Sequence, residues 1–407
     1  MMKYGYDKSK LKGLGVKPFL DMENVRNKKI EEAGDSLAQA VFNSNILASK
    51  LHPDVQYCLV KEVIDRGNAK SFVLVPDKES GTESLSYFRA GQYISVALEF
   101  EGNAVCKPYS ICSSPLDALC DDSSYMITVE RNKTGFASDY ILDNWKPDSK
   151  VMVSGPLGDF YWTGLRDSEN VVAIAGGSGI TPFYSMACAI ADGIEDFSLT
   201  ILYGNRCYDS ILLRIELEQA ALRSKGKVRI VNVLSDEMRP DCEHGFISSE
   251  IIRKYTDLED CTILLCGPRA MYSYEDTQIP LLGLPRRRVR RDLFGEYGDP
   301  TGDSLYPVLA KGKTFKITVI MRDNETVISC PSEMTLLCAM ERAGIHAPSD
   351  CRSGQCGWCR SRLESGNVYV PSSMDGRRMA DEKFGWIHPC CSYPLSDIRL
   401  EITELKA

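Results

Sequence analysis

Two stretches, DCRSGQCGWCR at residues 350–360 and HPCCSYP at residues 388–394, decide the architecture of the C-terminal part of this chain. They contain four cysteines with four, two and then 30 residues between successive members: Cys351, Cys356, Cys359 and Cys390. Thiolates spaced C-x4-C-x2-C with a distant fourth cysteine are typical ligands of a [2Fe–2S] cluster. Gly354 and Gly357 suit such a loop, because residues without a Cβ adopt positive φ and let backbone N–H groups approach the sulfurs.

The alternative for these cysteines is a structural zinc site. Such a site expects two C-x2-C-like knuckles, which this spacing does not provide. The segment from about 314 to 406 resembles the plant-type ferredoxin family over its whole length, and Cys390 matches the fourth ligand because Pro394 follows it at the usual interval. The resemblance implies a β-grasp domain with these four cysteines as cluster ligands, Cys391 being a neighbour of Cys390.

Composition excludes several classes of protein. A chain of 407 residues with 43% hydrophobic and 26% charged residues is long enough for two to four globular domains. A net charge of −8 opposes nucleic acid as the main partner. We find neither a run of roughly 20 apolar residues nor an apolar core behind the N-terminal lysines, and therefore expect a cytoplasmic protein. In a reducing compartment, regularly spaced members of the 16 cysteines are better explained as metal ligands than as disulfides.

The hydrophobic pattern changes along the chain. Apolar residues at helical spacing near the N-terminus predict helix: Met22, Val25, Ile30, Ala33, Leu37 and Val41. Further on come β-rich runs between turn residues, then short buried runs alternating with helical stretches, and then a segment rich in Gly, Pro and Asp. We predict a helical extension, an antiparallel β-barrel flavin domain, a doubly wound α/β nicotinamide domain, a linker and the β-grasp ferredoxin domain, at residues 1–53, 54–165, 166–298, 299–312 and 313–407.

Two short motifs lie in the β-rich part. KPYSICSSP starts at Lys107 between two strand-like runs, and GFASDY at residues 135–140 places Ser138 where it could cap a helix. Each alone is an ordinary turn or strand surface. Together they resemble the R-x-Y-S and G-x-x-S motifs of the ferredoxin-NAD(P) reductase family, and GPLGDF at residues 155–160 matches the end of that family's flavin barrel.

The resemblance implies roles for these residues. Tyr109 would stack on the isoalloxazine, Ser110 would hydrogen bond near its N5 as a catalytic residue, and Ser138 would receive the pyrophosphate at a helix N-terminus. Lys107 stands where the family has arginine, so the phosphate would lose a bidentate partner. The motif favours FAD over FMN. The flavin-binding residues are therefore expected to be Lys107, Pro108, Tyr109, Ser110, Gly135, Phe136, Ala137 and Ser138.

A Gly-rich turn follows a buried strand in VVAIAGGSGITP at residues 171–182, with Thr181 as expected N-cap and Pro182 at the first helical position. Downstream, ILLCGPRAMY at residues 263–272 ends another buried strand. The pair resembles the family's pyridine-nucleotide domain. By that resemblance Cys266 packs beside the nicotinamide as a catalytic residue, although a lone cysteine there would otherwise be a small core residue. The expected nucleotide-binding residues are Gly176, Gly177, Gly179, Thr181, Pro182, Cys266, Gly267 and Pro268.

The choice between the two pyridine nucleotides rests on few residues. Arg206 could hold a 2′-phosphate, but Asp209 would repel it, so we favour NADH and leave NADPH open. The arginine run at residues 286–291 is better explained as a solvated edge strand than as a docking patch. The four histidines are widely separated and share no metal-ligand spacing, so we interpret them as structural.

These motifs predict an NAD(P)H-dependent electron transferase that passes hydride to FAD and then single electrons through a [2Fe–2S] cluster to an external protein or small-molecule acceptor. The flavin stands between the other two because it exchanges one or two electrons. The chain resembles reductase components of multicomponent oxygenases. Alternatives are a non-catalytic FAD/[2Fe–2S] subunit of a larger dehydrogenase and a flavin or ferric reductase. The N-terminal extension could dock a partner.

Overall fold

The computed structural model describes residues 17–32, 43–100, 103–131, 136–293, 295–322 and 324–402. The chain divides into two compact units, Met1–Ser49 and Lys50–Ala407. The first unit contains helix α1 (Lys17–Glu32) and the start of α2 (Asn43–Leu51). Met22, Val25 and Ile30 lie on α1 and are exposed, whereas three further residues from which helix is predicted lie outside the described residues: Ala33, Leu37 and Val41.

The second unit begins with a six-stranded antiparallel sheet in the order β4-β3-β6-β1-β2-β5. An isolated bridge between Ile111, directly after β4, and Ile127 on β5 joins the two ends of the sheet and closes the barrel. Phe72, Ile94 and Ile127 fill its interior and are fully buried. Its elements are β1 (Gln56–Asp65), β2 (Ala69–Pro76), β3 (Tyr93–Phe100), β4 (Asn103–Ser110), β5 (Tyr125–Glu130), α3 (Phe136–Asn144) and β6 (Lys150–Val153).

A six-stranded parallel sheet in the order β10-β9-β8-β7-β11-β12 follows. Two separate apolar clusters cover its faces, because neighbouring residues of one strand such as Ala173 and Ile174 point to opposite sides. The helices therefore lie on both faces. The elements are β7 (Asn170–Gly176), α4 (Thr181–Ala191), β8 (Ser198–Asn205), α5 (Arg214–Arg223), β9 (Val228–Leu234), β10 (Glu243–His244), α6 (Ser249–Tyr255), β11 (Thr262–Cys266), α7 (Arg269–Gln278) and β12 (Val289–Arg291).

The arginine run forms a short 3-10 turn and then β12, at the edge of this sheet as predicted. It is less solvated than expected. The Arg290 guanidinium lies 3.1 Å from the buried Asp167 carboxylate and donates to the Tyr161 carbonyl at 3.0 Å. Arg291 pairs with Asp276 at 2.5 Å. The run therefore contributes to packing between the barrel's final loop and the α/β sheet.

The C-terminal part is a five-stranded mixed sheet in the order β14-β13-β19-β15-β17, with a separate two-stranded sheet, β16-β18. Helix α8 packs on the sheet, and the Thr335 hydroxyl caps it by accepting from the Cys338 N–H. The elements are β13 (Thr314–Met321), β14 (Asn324–Pro331), α8 (Leu336–Arg342), β15 (Ser361–Ser365), β16 (Val368–Tyr369), α9 (Met379–Lys383), β17 (Trp386–Ile387), β18 (Tyr393–Pro394) and β19 (Ile398–Ile402). The predicted fold class is confirmed.

The segment predicted as a linker carries its own small core. Tyr306 and Ala310 are buried against Tyr369 and Tyr393 of the ferredoxin domain. Asp303 accepts a hydrogen bond of 2.5 Å from the Tyr369 hydroxyl. The segment is thus packed along the ferredoxin domain. Across the described ranges, no helix combines the length and the apolar composition that a membrane crossing requires.

Candidate functional site

The four cysteines of the C-terminal motif lie together, and backbone amides point at their sulfurs. Cys351 Sγ accepts from the N–H of Ser353 at 3.5 Å and of Cys356 at 3.3 Å. Cys390 Sγ accepts from the Gly354 N–H at 3.3 Å, and Cys356 Sγ from the Trp358 N–H at 3.5 Å. Such donors stabilise thiolates and tune the potential of a cluster bound by them.

The sulfurs are arranged in two pairs. Cys351 and Cys356 share a hydrogen bond that lowers the pKa of the Cys351 thiol and raises that of the Cys356 thiol. Cys359 shares another with Cys390, and together with burial it raises the pKa of Cys359. Two close pairs of sulfurs fit a cluster of two irons, which Cys351, Cys356, Cys359 and Cys390 would hold.

Gly354 shows why the loop needs glycine. Its φ is +77°, and a Cβ there would lie 2.1 Å from the Met374 carbonyl oxygen. Gly357 also has positive φ, at +78°. Both therefore have the backbone conformation expected from the sequence, and a side chain at Gly354 would push the loop away from its neighbour.

The cysteine doublet divides its contacts. Cys390 Sγ faces Cys359 and the Gly354 amide, whereas Cys391 Sγ donates to the His388 carbonyl at 3.4 Å. Both are buried. The pairing of Cys390 with Cys359 favours Cys390 as the ligand and leaves Cys391 with a packing role.

The nucleotide motifs meet at the carboxyl ends of two adjacent strands. β7 and β11 pair in parallel, with Cys266 opposite Ala175, at the point where the strand order reverses. A Cβ on Gly179 would lie 2.2 Å from the Cys266 carbonyl oxygen and 2.6 Å from Gly267 Cα. Gly177 has φ +51°. The structure therefore brings the two predicted loops into contact at the edge where open α/β sheets bind ligands.

The start of α4 differs from the prediction. Thr181 is the first residue of the helix, and its N-cap is Ile180, which provides no side-chain cap. A 3-10 turn at Gly177–Ile180 precedes the helix, and the Thr181 hydroxyl donates to the Ser178 carbonyl at 2.9 Å. The prediction of Thr181 as N-cap is wrong because the Gly-rich turn is already helical. Pro182 lies in the first turn, where its missing N–H costs no hydrogen bond.

Cys266 ends β11 and is 3% exposed. Burial and then the nearby Asp292 raise the pKa of its thiol, so the side chain stays neutral at physiological pH. The Tyr272 hydroxyl accepts from the Gly267 N–H at 3.3 Å and donates to the Asp292 carbonyl at 2.6 Å. Tyr272 thereby holds the turn after Cys266, and Pro268 in this turn is the N-cap of α7.

The flavin motif lies on β4. Ser110 is buried and pairs with Tyr93 on β3, Tyr109 packs against the barrel core, and Pro108 pairs with Ser95. Lys107 Nζ lies 3.1 Å from Glu296 Oε1, so the lysine has a partner from beyond the α/β sheet.

The second flavin motif lies at the start of α3. Ser138 is inside the first turn of this helix, so it does not cap it as the sequence suggested. Ala137 is buried. Phe136 begins the helix. Gly135, expected in the same motif, lies outside the described residues.

A cleft of about 350 Å³ lies where the three domains meet. Barrel residues Tyr93 and Gly158 form one wall, Asp292 follows β12, and the cysteine loop supplies Asp350 and Cys351. The Tyr93 hydroxyl approaches Asp350 Oδ2 at 3.5 Å. The cleft therefore places the proposed cluster ligands beside the strand that pairs with the flavin motif.

Sequence reasoning missed two buried carboxyl groups of this cleft, Asp292 and Asp350; a third, Asp159, is exposed. Burial raises the pKa of Asp350 to about 7 and raises that of Asp292 well above its usual range. One oxygen of each is buried without a hydrogen-bond partner among the described residues. Asp292 directly follows the arginine run, and Asp350 directly precedes the first cysteine of the cluster motif. Neither neighbouring motif indicates that these carboxyl groups are buried.

Three family models match the chain in series. The oxidoreductase FAD-binding domain matches residues 68–162, the oxidoreductase NAD-binding domain residues 173–276, and the 2Fe-2S iron-sulfur cluster binding domain residues 319–395. These ranges contain all the predicted flavin, nucleotide and cluster residues. The predicted cofactors, FAD, a nicotinamide nucleotide and a [2Fe–2S] cluster, are thereby confirmed as classes.

The chain is similar to reductase components of oxygenases. It is 29% identical to the ferredoxin reductase component of 3-ketosteroid-9-alpha-monooxygenase from Mycobacterium tuberculosis, over 84% of this chain and 94% of that protein. It is 25% identical to the glycine betaine monooxygenase reductase subunit of Chromohalobacter salexigens, over the same shares. The solved structure of phthalate dioxygenase reductase has a TM-score of 0.61 at 22% identity, covering 86% of this chain and 98% of that one, and shows the same fold. The chain is therefore an oxidoreductase that carries FAD-binding, NAD-binding and C-terminal [2Fe–2S] cluster-binding domains in that order, and it is similar to ferredoxin reductase components of oxygenases.

Proposed function

We propose that this protein is the NADH-dependent reductase component of an oxygenase system. As an oxidoreductase of this family, it transfers electrons from a nicotinamide nucleotide through FAD to a [2Fe–2S] centre. When bound, the flavin supplies the conversion of a two-electron hydride into single electrons, and the cluster supplies a one-electron outlet. Two parts of this function are proposals: that the nucleotide is NADH and that the acceptor is an oxygenase.

One observation carries the proposal. The cleft lined by Tyr93, Asp292 and Cys351 is shared by all three domains. Carriers bound at the three motifs would therefore converge on one small volume, which short-range transfer within a single chain requires. If the ferredoxin domain did not receive electrons from the flavin, its first proposed cysteine ligand would not need to lie in this cleft.

The proposed roles of the residues follow their positions. Gly177 and Gly179 shape the turn that would receive the nucleotide's pyrophosphate, with Gly176 and Thr181 flanking it. Cys266 would provide a neutral, compact surface beside the nicotinamide, since its thiol stays protonated.

On the flavin side, Tyr109 and Ser110 on β4 would hold the isoalloxazine, and Ser138 in the first turn of α3 would lie by the pyrophosphate. Four sulfurs would bind the irons: Cys351, Cys356, Cys359 and Cys390. The backbone donors to three of these sulfurs and the absence of room for a Cβ at Gly354 support that assignment.

The acceptor and the nucleotide are proposed on separate grounds. An oxygenase as acceptor is favoured because relatives aligned over 84% of the chain are named as reductase components of monooxygenases. NADH is favoured because Asp209, which is exposed beyond the end of β8, is close in sequence to Arg206. Its negative charge would repel the 2′-phosphate of NADPH that Arg206 could otherwise bind. Docking by the N-terminal unit and a cytoplasmic location stay predictions.

Anaerobic titration of the purified full-length chain with NADH tests the proposal. We expect the flavin absorbance bands to bleach and the rhombic paramagnetic resonance signal of a reduced [2Fe–2S] cluster to appear. Reduction should be faster with NADH than with NADPH at equal concentration. A non-catalytic subunit of a larger dehydrogenase would not bleach in isolation. Zinc in place of iron by elemental analysis would contradict the cluster step.

A further inference from the structure

A buried arginine links the cysteine loop to the rest of the protein. Arg352 directly follows Cys351, has φ +55°, and is 1% exposed. Its Nη1 donates to Glu341 Oε1 at 2.5 Å and its Nη2 to Glu341 Oε2 at 2.7 Å. Nη1 also lies 3.3 Å from the Cys106 carbonyl on β4 of the barrel. A non-glycine residue held at positive φ needs surrounding contacts to keep it there.

The Arg352 guanidinium has a second carboxylate partner, Glu296. Its Nε donates to Glu296 Oε1 at 2.7 Å, and Nη2 reaches the same oxygen. Lys107 Nζ approaches that oxygen from the barrel at 3.1 Å, and Cys338 Sγ donates to Oε2 at 2.8 Å. Burial raises the pKa of Glu296, but Arg352 and then Lys107 outweigh it and lower the pKa to about 2.

The charges in this network balance. Two cations, Lys107 and Arg352, face two carboxylates, Glu296 and Glu341, and the Arg352 and Glu341 side chains are at most 9% exposed. The sulfur and carboxylates of Glu296, Cys338 and Glu341 lie close enough to suggest a metal site. Arg352 already supplies the positive charge between the two carboxylates, so no ion is needed there. Removing one charge would leave its partners buried and unpaired, which is costly.

The four residues come from three parts of the chain. Lys107 lies in the flavin motif on β4, Glu296 follows the α/β sheet, and Glu341 and Arg352 belong to the ferredoxin domain. Glu296 binds both the barrel lysine and the cluster-loop arginine, in addition to the direct contact of Arg352 with the Cys106 carbonyl on β4. Its side chain therefore ties the flavin-binding strand to the residue next to the first cluster ligand.

We propose that Glu296 is a positioning residue that sets the distance between flavin and cluster. The proposal rests on the proposed function, in which the reduced flavin loses one electron and the cluster gains it. Glu296 touches neither carrier in this proposal. It acts through Arg352, which holds Cys351, and through Lys107, which belongs to the flavin strand.

The test is Glu296→Gln, which keeps the shape and removes the charge. In anaerobic stopped-flow experiments on the loaded full-length chain, hydride transfer from NADH to flavin should stay within about twofold of wild type. Transfer from flavin to cluster should slow by about tenfold or more, since displacement by about an ångström is enough for a large loss of rate. Glu325→Gln is the matched control, because Glu325 pairs with Arg399 on an exposed face of the ferredoxin domain.

A second measurement does not depend on activity. Amide hydrogen exchange in the segment 350–356 should rise in Glu296→Gln and not in Glu325→Gln, because the loop loses an anchor. Glu296→Asp, which keeps the charge on a shorter side chain, should restore part of the transfer rate. If Glu296→Gln proves unstable, Arg352→Lys tests the same link by keeping the charge and losing the fork.

Three results would overturn the inference. They are unchanged flavin-to-cluster transfer in Glu296→Gln, equal slowing of hydride and electron transfer, and unchanged exchange in the loop. A wild-type chain whose flavin NADH does not reduce would instead contradict the proposed function, so the two failures are distinguishable.

Discussion

Gly179 and Cys266 lie so close that a Cβ on the glycine would be 2.2 Å from the cysteine's carbonyl oxygen. These residues belong to different loops, and most of the sequence of the α/β domain lies between them. Their contact fixes the width of the nucleotide site, because both loops leave the same edge of the sheet.

Gly179→Ala should therefore widen the nucleotide site. The added methyl forces the two turns apart at a cost of about 1–3 kcal/mol. We expect the Kd for NADH to rise at least about tenfold, measured by flavin bleaching at varied NADH. Gly302→Ala is the control, since nothing lies within 4 Å of the position of its Cβ. Equal NADH affinity in both variants would contradict the close-contact role.

Cys266→Ala should slow hydride transfer more than it weakens nucleotide binding. A neutral thiol that packs beside the reacting ring orients it, and a smaller methyl leaves the ring looser. Stopped-flow data at saturating NADH give the rate, and the dependence on NADH gives the affinity. Cys261→Ala, at a buried thiol just before β11, should leave the rate unchanged. Parallel losses of rate and affinity in Cys266→Ala would count against orientation.

Cys356→Ser should abolish electron delivery to a one-electron protein acceptor and spare NADH-dependent reduction of free flavin. The serine oxygen replaces a sulfur that we propose as an iron ligand, whereas the flavin and nucleotide loops are untouched. Iron content and paramagnetic resonance check the cluster directly. Cys391→Ala is the comparison, because the Cys391 sulfur donates to the His388 carbonyl. Loss of the cluster in Cys391→Ala with retention in Cys390→Ala would reverse our choice within the doublet.

Glu275 makes stability depend on pH. Its side chain is fully buried, neither oxygen has a hydrogen-bond partner among the described residues, and burial raises its pKa to about 8. Because the folded state holds this proton more tightly than the unfolded state, stability present below about pH 4.5 is lost as pH rises toward 8.

The substitution that tests this is Glu275→Gln, which cannot ionise. Its free energy of unfolding should exceed that of wild type by an amount that grows by about 1 kcal/mol per unit between pH 5 and 8. Denaturant unfolding across this range measures the difference. The exposed Glu259→Gln serves as the control. A difference that stays constant with pH would show that Glu275 is already charged or protonated throughout.

Removal of residues 1–50 should spare NADH-dependent dye reduction, because every proposed flavin, nucleotide and cluster residue lies in the second unit. Rates with a dye and with the physiological acceptor separate catalysis from docking. A folded truncation that cannot reduce the dye would mean that the N-terminal unit completes the site. Loss confined to the physiological acceptor would support docking.

The parts of the site that were predictable depend on residues close in sequence. The spacing of Cys351, Cys356 and Cys359 and the Gly-rich turn at Gly176 each carry their chemistry within a dozen residues, so the motifs identify the three domains and their order. The hydrophobic pattern similarly predicts the antiparallel sheet of the barrel and the parallel sheet of the α/β domain. The predicted helix caps were wrong, because an N-cap precedes the helix, whereas Thr181 is the first residue of α4 and Ser138 is the third residue of α3.

The parts that were not predictable depend on packing between distant segments. The pKa of Asp292 is raised by burial and then by Asp159, which lies 133 residues earlier in the chain. Glu296 stands in a segment that composition presents as a spacer, and its partners are 189 and 56 residues away. No spacing rule connects such residues, because their proximity is a result of how three completed domains dock.

The packed segment around Tyr306 also constrains how electrons leave. Tyr306 and Ala310 are buried against the ferredoxin domain, so the segment and that domain form one packed body. Glu296 and Arg352 join this body to β4 of the barrel, so the ferredoxin domain is not free to move between an electron donor and an acceptor. Electron delivery then requires the acceptor to approach the cysteine loop of a ferredoxin domain that stays in place. The exposed residues of the cysteine loop, on which such an encounter would occur, are Gln355, Cys356 and Trp358, the tryptophan at 43% exposure. The electron acceptor would thus have to bind at the ferredoxin domain in its packed position.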